Sequence, residues 1–374
     1  MQTMIQKRIL RLREAMLEFN LDTLLVLLEE NRRYLSGFTG EDTQFDESSG
    51  LLLITDERLI LATDSRFELQ ARREATDYEI ICYKKNMEKE LGCLVRELGT
   101  RKMGFESNRM SVSKHNNLKK ELASASFSVE LVPADKLIQN LRIRKDKMEI
   151  QTIQKALQIA ESAFQELMEK LTPGMTESEM AWQFEKIMRQ HGAQALSFPT
   201  IVASGPNSAL PHAVPSDRIV KTGEPLLFDF GAKFEGYCSD TTRTLVLETP
   251  DEMFTKIYSI VLDAHQMALE AIKPGMKGRE IDSIARNHID AKGFGNHFGH
   301  GLGHGVGLSV HEAPRLSPLS EDILEEDMIV TVEPGIYLPE WGGIRLENMV
   351  RVTNNGVDVL NDFPLNQDRN MIRK

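Results

Sequence analysis

The stretch LLFDFGAKFEGYCSDTTRT, residues 226–244, sets an aspartate inside an apolar run. Asp229 stands where a buried strand would normally carry Val or Ile. An ionised carboxylate there is costly unless it is paired or bound to a metal. Asp240 follows eleven residues later, with AKFEGY between them as the turn. A hairpin centred between Phe234 and Glu235 places Asp229 and Asp240 opposite one another, on the same face of the strand pair.

The pattern occurs a second time. Glu333 ends the apolar run MIVTVE and is followed at once by Pro334-Gly335, while Glu347 lies within GIRLENMV, beyond a Pro-Glu-Trp-Gly-Gly loop. A hairpin centred near Glu340 brings these two acids roughly opposite each other. If all four carboxylates converge, each pair of like charges about 4 Å apart costs about 4 kcal/mol at an effective dielectric of about 20. Such a cluster must take up protons or bind cations. Two divalent ions would balance it, and two metals bridged by carboxylates and a water form a hydrolytic centre.

HFGHGLGHGVGLSVHE, residues 297–312, holds four of the nine histidines among alternating glycines. A phosphate loop would end in Gly-Lys-Ser/Thr and open a helix. A structural zinc knuckle would carry cysteines or a lone His pair. Neither fits, and glycines that let backbone pack closely around a site fit better. Imidazoles added to four carboxylates make a hard, mixed O/N donor set that suits Mn²⁺, Co²⁺, Fe²⁺ or Zn²⁺.

The rest of the chain sets the frame. Its 374 residues predict two domains, with the boundary near 140–145, where LRIRKDKMEI begins. The first part alternates helix-like and strand-like stretches, a mixed α/β domain of six strands with YLSGFTG (34–40) as a turn. Beyond the boundary, 146–170 and 176–191 read as amphipathic helices broken at Pro173-Gly174, with Thr176, Glu177 and Glu179 at a helix start. Residues 251–272 and 278–292 read as two more helices among strands. A formal charge of −11 argues against a nucleic-acid partner. Cys82, Cys93 and Cys238 have no paired spacing. No apolar run approaches the ~20 residues that span a bilayer, and the charged N-terminus lacks a secretory core, so a cytoplasmic protein without membrane contact is expected.

Asp229, Asp240, His304, Glu333 and Glu347, in that order and context, resemble the five metal ligands of the pita-bread metallopeptidases. That family holds methionine aminopeptidases, Xaa-Pro aminopeptidases and Xaa-Pro dipeptidases (prolidases), with non-metal relatives such as creatinase. The motifs are FDFGAKFEGYCSDTTRT, GHGLGHGVGLSVHE, TVEPGIY and GIRLENMVRVT. YLSGFTG and TDSRFELQA resemble, less sharply, the creatinase/prolidase N-terminal domain. The resemblance implies an α/β (α+β) chain with a mixed-sheet domain over 1–142 and a pita-bread catalytic domain over 143–374. Arg345 in Arg-x-Glu, with His212 in LPHAVPSDR and His311 in VHEAP, favours the Xaa-Pro branch.

It further implies two divalent ions per chain, Mn²⁺ first with Co²⁺ or Zn²⁺ possible, and hydrolysis of the X–Pro bond by a metal-bridging water. Glu333 would be ligand and general base. His212 and His311 would bind substrate and stabilise the oxyanion, His300 would line the pocket, and Arg345 would orient a ligand carboxylate. The partners implied are short peptides with proline second and a second copy in a homodimer. The alternatives are a metallo-aminopeptidase without proline preference and a binding scaffold. Asn348 and Ala213 depart from the residues common in relatives, without touching a ligand position.

Overall fold

The computed structural model describes residues 3–372, apart from 43, 45, 46, 85, 86, 124–127, 173 and 366–370. Pro173, expected to break two helices, lies outside the described residues. The chain divides into two compact units, Met1–Arg142 and Ile143–Lys374.

The first unit runs α1 (Met4–Glu18), β1 (Thr23–Val26), α2 (Glu29–Ser36), β2 (Leu51–Thr55), β3 (Leu59–Thr63), α3 (Glu68–Glu74), β4 (Glu79–Cys82), α4 (Met87–Glu97), β5 (Lys102–Phe105), α5 (Val112–Ala123), β6 (Glu130–Pro133) and α6 (Asp135–Arg142). Its six strands form one mixed sheet in the order β4-β3-β2-β1-β5-β6. Alternate residues Leu51, Leu53, Met103 and Phe105 turn to one face and meet Leu91, Leu94 and Val95 of α4 and Leu118 and Leu122 of α5. Two helices escape the sequence reading. α2, EENRRYLS, is held by polar partners instead of an apolar stripe. The Glu106 carboxylate accepts the N–H groups of Leu27 and Leu28, and Arg32 pairs with Asp42 at 2.7 Å. The expected turn at YLSGFTG is the end of α2, where Gly37 takes the left-handed conformation (φ 77°) of a helix cap. α6 is a single short amphipathic element of 8 residues.

The second unit begins with α7 (Lys147–Lys170) and α8 (Glu177–Gln190), each opened by a capping box, Asp146 with Glu149 and Thr176 with Glu179. Strands β7 (Ala195–Leu196), β8 (Ile201–Ser204), β9 (Pro225–Phe230), β10 (Ala232–Phe234), β11 (Tyr237–Cys238) and β12 (Thr241–Leu247) follow. Helices α9 (Glu252–Ala271) and α10 (Gly278–Ala291) precede β13 (Gly303–Gly305), β14 (Glu312–Leu316), β15 (Ile329–Val332), β16 (Gly335–Leu338), β17 (Gly342–Arg345), β18 (Asn348–Val352), β19 (Val357–Val359) and β20 (Met371–Ile372).

Two larger sheets result, β20-β12-β9-β8 and β14-β13-β15-β18-β19, with β16-β17 and β11-β10-β7 as small additions. α7 and α8 cover the first sheet through Phe164, which stacks on Phe230 and meets Phe228 edge-on, and Phe184, which meets both edge-on. α9 and α10 cover the second, with Phe254, Ile257, Val261 and Ile281 against Val330, Val332 and Val350. Each sheet thus has one face buried under a helix pair.

Candidate metal centre

The tight turn between β10 and β11 is Glu235-Gly236, with both residues at positive φ (45° and 79°), the two-residue hairpin geometry that suits twisted strands. This moves the register by two from the sequence expectation. Asp229 stands opposite Thr242, not opposite Asp240. Asp240 and Thr242 still share a face because strand side chains alternate, so both acids reach the same cavity.

The second pair follows the expected register. Val332 pairs with Asn348 and Gly335 with Arg345, which leaves Glu333 facing Glu347 where the ladder is interrupted. At that gap the backbones turn to other partners. Glu333 N–H donates to the Leu302 carbonyl at 2.8 Å, and Glu347 N–H to the Thr242 carbonyl at 3.2 Å. The gap therefore ties together the glycine-rich segment, β12 and both halves of the second hairpin.

His304 on β13 completes the group. A Cβ on Gly303 would lie 2.0 Å from the Thr331 carbonyl oxygen, and one on Gly305 2.1 Å from that of Ala313. Only glycine allows these strands to close around the imidazole.

All nine site residues expected from sequence (Asp229, Asp240, His304, Glu333, Glu347, His212, His300, His311 and Arg345) line one cavity of about 650 Å³. Single donor atoms of Asp229, Asp240 and Glu347 lie within 4.8 Å of one another, as do those of His304, Glu333 and Glu347. The two triads share Glu347. His311 also falls within the same span of Asp240 and His304.

These residues fit a pair of cations. His304 Nδ1 lies 3.1 Å from the Gly305 carbonyl, which can only accept, so the proton belongs on Nδ1. Nε2 then presents a lone pair to Asp240 Oδ2 at 3.6 Å and Glu333 Oε1 at 3.4 Å. Asp229 Oδ1 and Glu347 Oε1 are buried with no hydrogen-bond partner. Acceptors that face acceptors in a buried cluster call for a cation between them.

The charges behave accordingly. Burial first, then Glu347, Asp229 and Glu333, hold the Asp240 carboxyl well above its ordinary range. Burial and the Glu333 charge do the same to Glu347. Burial raises Glu333 to about 8. Burial also lowers His304 to about 3, which keeps the ring neutral and able to ligate.

Arg345 anchors the acids. Its Nη2 donates to Asp229 Oδ2 at 2.5 Å, its Nε to Thr242 Oγ1 at 3.0 Å and its Nη1 to Tyr337 OH at 2.9 Å. Thr242 Oγ1 in turn donates to Glu347 Oε2 at 2.7 Å. Tyr337, which the sequence reading passed over, donates to His300 Nε2 at 2.7 Å, because His300 Nδ1 gives its proton to the Gly301 carbonyl, also at 2.7 Å. His300 thus lines the cavity with both nitrogens engaged. His212 and His311 are exposed within it.

Arg315 is a second residue passed over. It lines the cavity and is exposed, and its guanidinium makes no hydrogen bond or salt bridge among the described residues. The signal for it was its place four residues beyond His311. His297 does not line the cavity; its Nδ1 bonds the Tyr337 carbonyl at 3.1 Å. The Cys238 thiol reaches the Leu308 carbonyl at 3.7 Å, as a packing residue would.

Residues 151–354 match metallopeptidase family M24, and residues 8–144 match the creatinase/prolidase N-terminal domain. The chain is 38% identical to an Xaa-Pro dipeptidase of Pyrococcus furiosus over 94% of its length and 97% of the relative's. Among solved structures it is similar to an Xaa-Pro dipeptidase from Bacillus anthracis (40% identity, TM-score 0.90, covering 96% of this chain and 98% of that one). It is also similar to an X-Pro aminopeptidase from Thermotoga maritima (36% identity, TM-score 0.85, covering 96% and 100%). The chain belongs to metallopeptidase family M24, in its Xaa-Pro dipeptidase and aminopeptidase group, a family that implies a dinuclear metal site. No helix among the described residues is long and apolar enough to cross a membrane.

Proposed function

We propose that this M24 metallopeptidase cleaves the X–Pro bond of dipeptides and short peptides, and that dipeptides are its preferred substrates. The observation that carries the chemistry is the pair of ligand triads sharing Glu347 in one cavity. Asp229, Asp240, His304, Glu333 and Glu347 would hold two divalent ions, Mn²⁺ first and Co²⁺ or Zn²⁺ by the same donor chemistry. When bound, such ions lower the pKa of an attacking water and polarise the scissile carbonyl.

The chain's own groups supply the rest. Glu333 takes the proton from the attacking water and hands it to the departing prolyl nitrogen, a transfer suited to a carboxylate that lines the cavity beside His304 and Glu347. His311 is kept below its ordinary pKa by burial and then by Arg315, so its neutral ring donates an N–H to the carbonyl oxygen as charge develops there. His212 faces the cavity from the 210–214 segment and donates alongside it. Arg345 fixes Asp229 through Oδ2 and leaves the buried Oδ1, which would be a ligand atom for a cation. His300 and Tyr337 hold the Arg345 guanidinium in place.

Two features support the substrate. X–Pro is a tertiary amide without an N–H, and the apolar wall of Phe198, Pro199, Ile201 and Val214 receives a pyrrolidine ring without asking for a donor. The unpartnered Arg315 guanidinium suits the free carboxylate that a dipeptide places next to its second residue. The named activities of the relatives from Pyrococcus furiosus and Bacillus anthracis agree with this reading.

The test is hydrolysis by metal-stripped protein resupplied with Mn²⁺, Co²⁺ or Zn²⁺, on Ala-Pro, Ala-Pro-Ala and Ala-Ala-Ala. Metal-dependent cleavage with Ala-Pro fastest is expected. Equal rates on Ala-Ala-Ala would remove the proline preference, and no cleavage by protein that binds the ions would overturn the reaction.

A further inference from the structure

Arg243 is fully buried and does not line the cavity. The interrupted ladder explains what it does. At the gap between the two ladders, Glu333 and Glu347 lie outside the paired strands, and the Glu347 carbonyl takes a side-chain donor in place of a strand partner. Arg243 Nη1 donates to that carbonyl, and also to the carbonyl of Thr242 at 3.0 Å. Its Nη2 donates to Asn348 Oδ1 at 3.0 Å and to the Phe363 carbonyl at 2.6 Å. Glu347 is therefore held to β12 at three points. Its N–H meets the Thr242 carbonyl, its carbonyl meets Arg243, and its Oε2 meets the Thr242 hydroxyl. Only Oε1 remains unpartnered.

The guanidinium is itself fixed from behind. Glu161 on α7 lies 3.7 Å from it, and the same carboxylate accepts the Asn361 side-chain amide at 2.9 Å and the N–H groups of Asp362 at 2.9 Å and Phe363 at 3.2 Å. Asn361 reaches the Met349 N–H at 2.7 Å and Thr241 Oγ1 at 3.1 Å. This web therefore sits beneath both Asp240 and Glu347. A buried guanidinium offers five donors in a planar fork, whereas a lysine ammonium in the same place offers three around one point.

We infer that Arg243, braced by Glu161, is a positioning residue that aims the Glu347 carboxylate and so sets the affinity of the metal pair. The inference rests on the proposed metal centre. Outer partners of ligand carboxylates typically change metal affinity about 10–100-fold.

Calorimetric titration of the metal-free, full-length chain with Mn²⁺, beside its thermal unfolding, separates aiming from mere support. Wild type should bind two ions. Arg243→Lys should bind Mn²⁺ at least about tenfold more weakly while its metal-free form stays folded. A lowered melting temperature with unchanged Mn²⁺ affinity would make Arg243 structural only and overturn the inference. If Arg243→Lys does not fold, Glu161→Gln decides by the same criterion: weaker binding by about threefold or more supports positioning, and unchanged binding overturns it. Wild type that binds fewer than two ions would instead refute the metal centre itself.

Discussion

Removing the metal should make the protein's stability fall as pH rises above neutrality. Glu333, Asp240 and Glu347 all have carboxyl pKa values raised by burial in the metal-free fold. A carboxyl whose folded value exceeds its unfolded one binds its proton more tightly when folded. The resulting stability is fully present below the unfolded value and is lost as pH rises through the folded value. For Glu333 the window runs from the ordinary 4.5 to about 8. At about 1.36 kcal/mol per pH unit, the loss across it is on the order of 5 kcal/mol. Asp240 and Glu347 act in the same direction. Carboxylates held low by a neighbour, such as Asp64 beside Arg66, act only as pH falls towards and below the ordinary 3.8. The buried rings of His265, His300 and His304, lowered to about 3, 4 and 3, and that of His311, also lowered, oppose the acids as pH falls below the ordinary 6.5. The acids therefore act alone only above about pH 7. Scanning calorimetry of metal-free protein from pH 7 to 9, where about 1–2 kcal/mol of the Glu333 loss falls, should therefore show a melting temperature lower by about 3–6 °C for a unit of this size. With Mn²⁺ bound the carboxylates are held ionised and the slope should vanish. Binding should also release protons, seen as a calorimetric enthalpy that changes with the buffer's ionisation heat. Metal-free protein as stable at pH 9 as at pH 7 would refute the reasoning, because the acids could not then be crowded and buried as described.

Two substitutions probe the groups around the acids. Arg345→Met leaves Asp229 buried beside other carboxylates without its cation, a loss of about 3–5 kcal/mol. The metal-free melting temperature should fall by about 6–20 °C at pH 8, and a drop under about 2 °C would show that Arg345 does not neutralise the cluster. Arg315→Met should lower kcat/KM for Ala-Pro by about 10–100-fold, the worth of a charge-assisted hydrogen bond. Ala-Pro amide should be almost unaffected, and equal losses on both substrates would contradict carboxylate recognition by Arg315.

The residues that carry charge against their surroundings were legible in the sequence. Asp229 between Phe228 and Phe230, and Glu333 at the end of an apolar run before Pro334-Gly335, stand out because burial of an unpaired carboxylate is expensive. Glycine alternation around His304 was legible for a similar reason, since it has no use in a strand except close approach. The register at Asp229 was misjudged because the turn was assigned by symmetry instead of by the residues that accept positive φ, Glu235 and Gly236. α2 was invisible because its partners, Glu106 and Asp42, are 70 and 6 residues beyond its last residue, Ser36. Tyr337, Arg315 and Arg243 were passed over because their flanks carry no mark beyond the place of Arg315 four residues after His311. Their roles come from partners distant in sequence, Arg345, an open cavity and the Glu347 peptide respectively.

Asp229 on β9, His304 on β13, and Asp240, Glu333 and Glu347 at strand ends would hold two cations around a shared Glu347. Anomalous diffraction from crystals soaked in Mn²⁺ tests this most directly. Two peaks are predicted within the cavity, one beside Asp229 and one beside His304 and Glu333, with Asp240 and Glu347 between them. A single peak away from Glu347, or none at saturating Mn²⁺, would contradict the account.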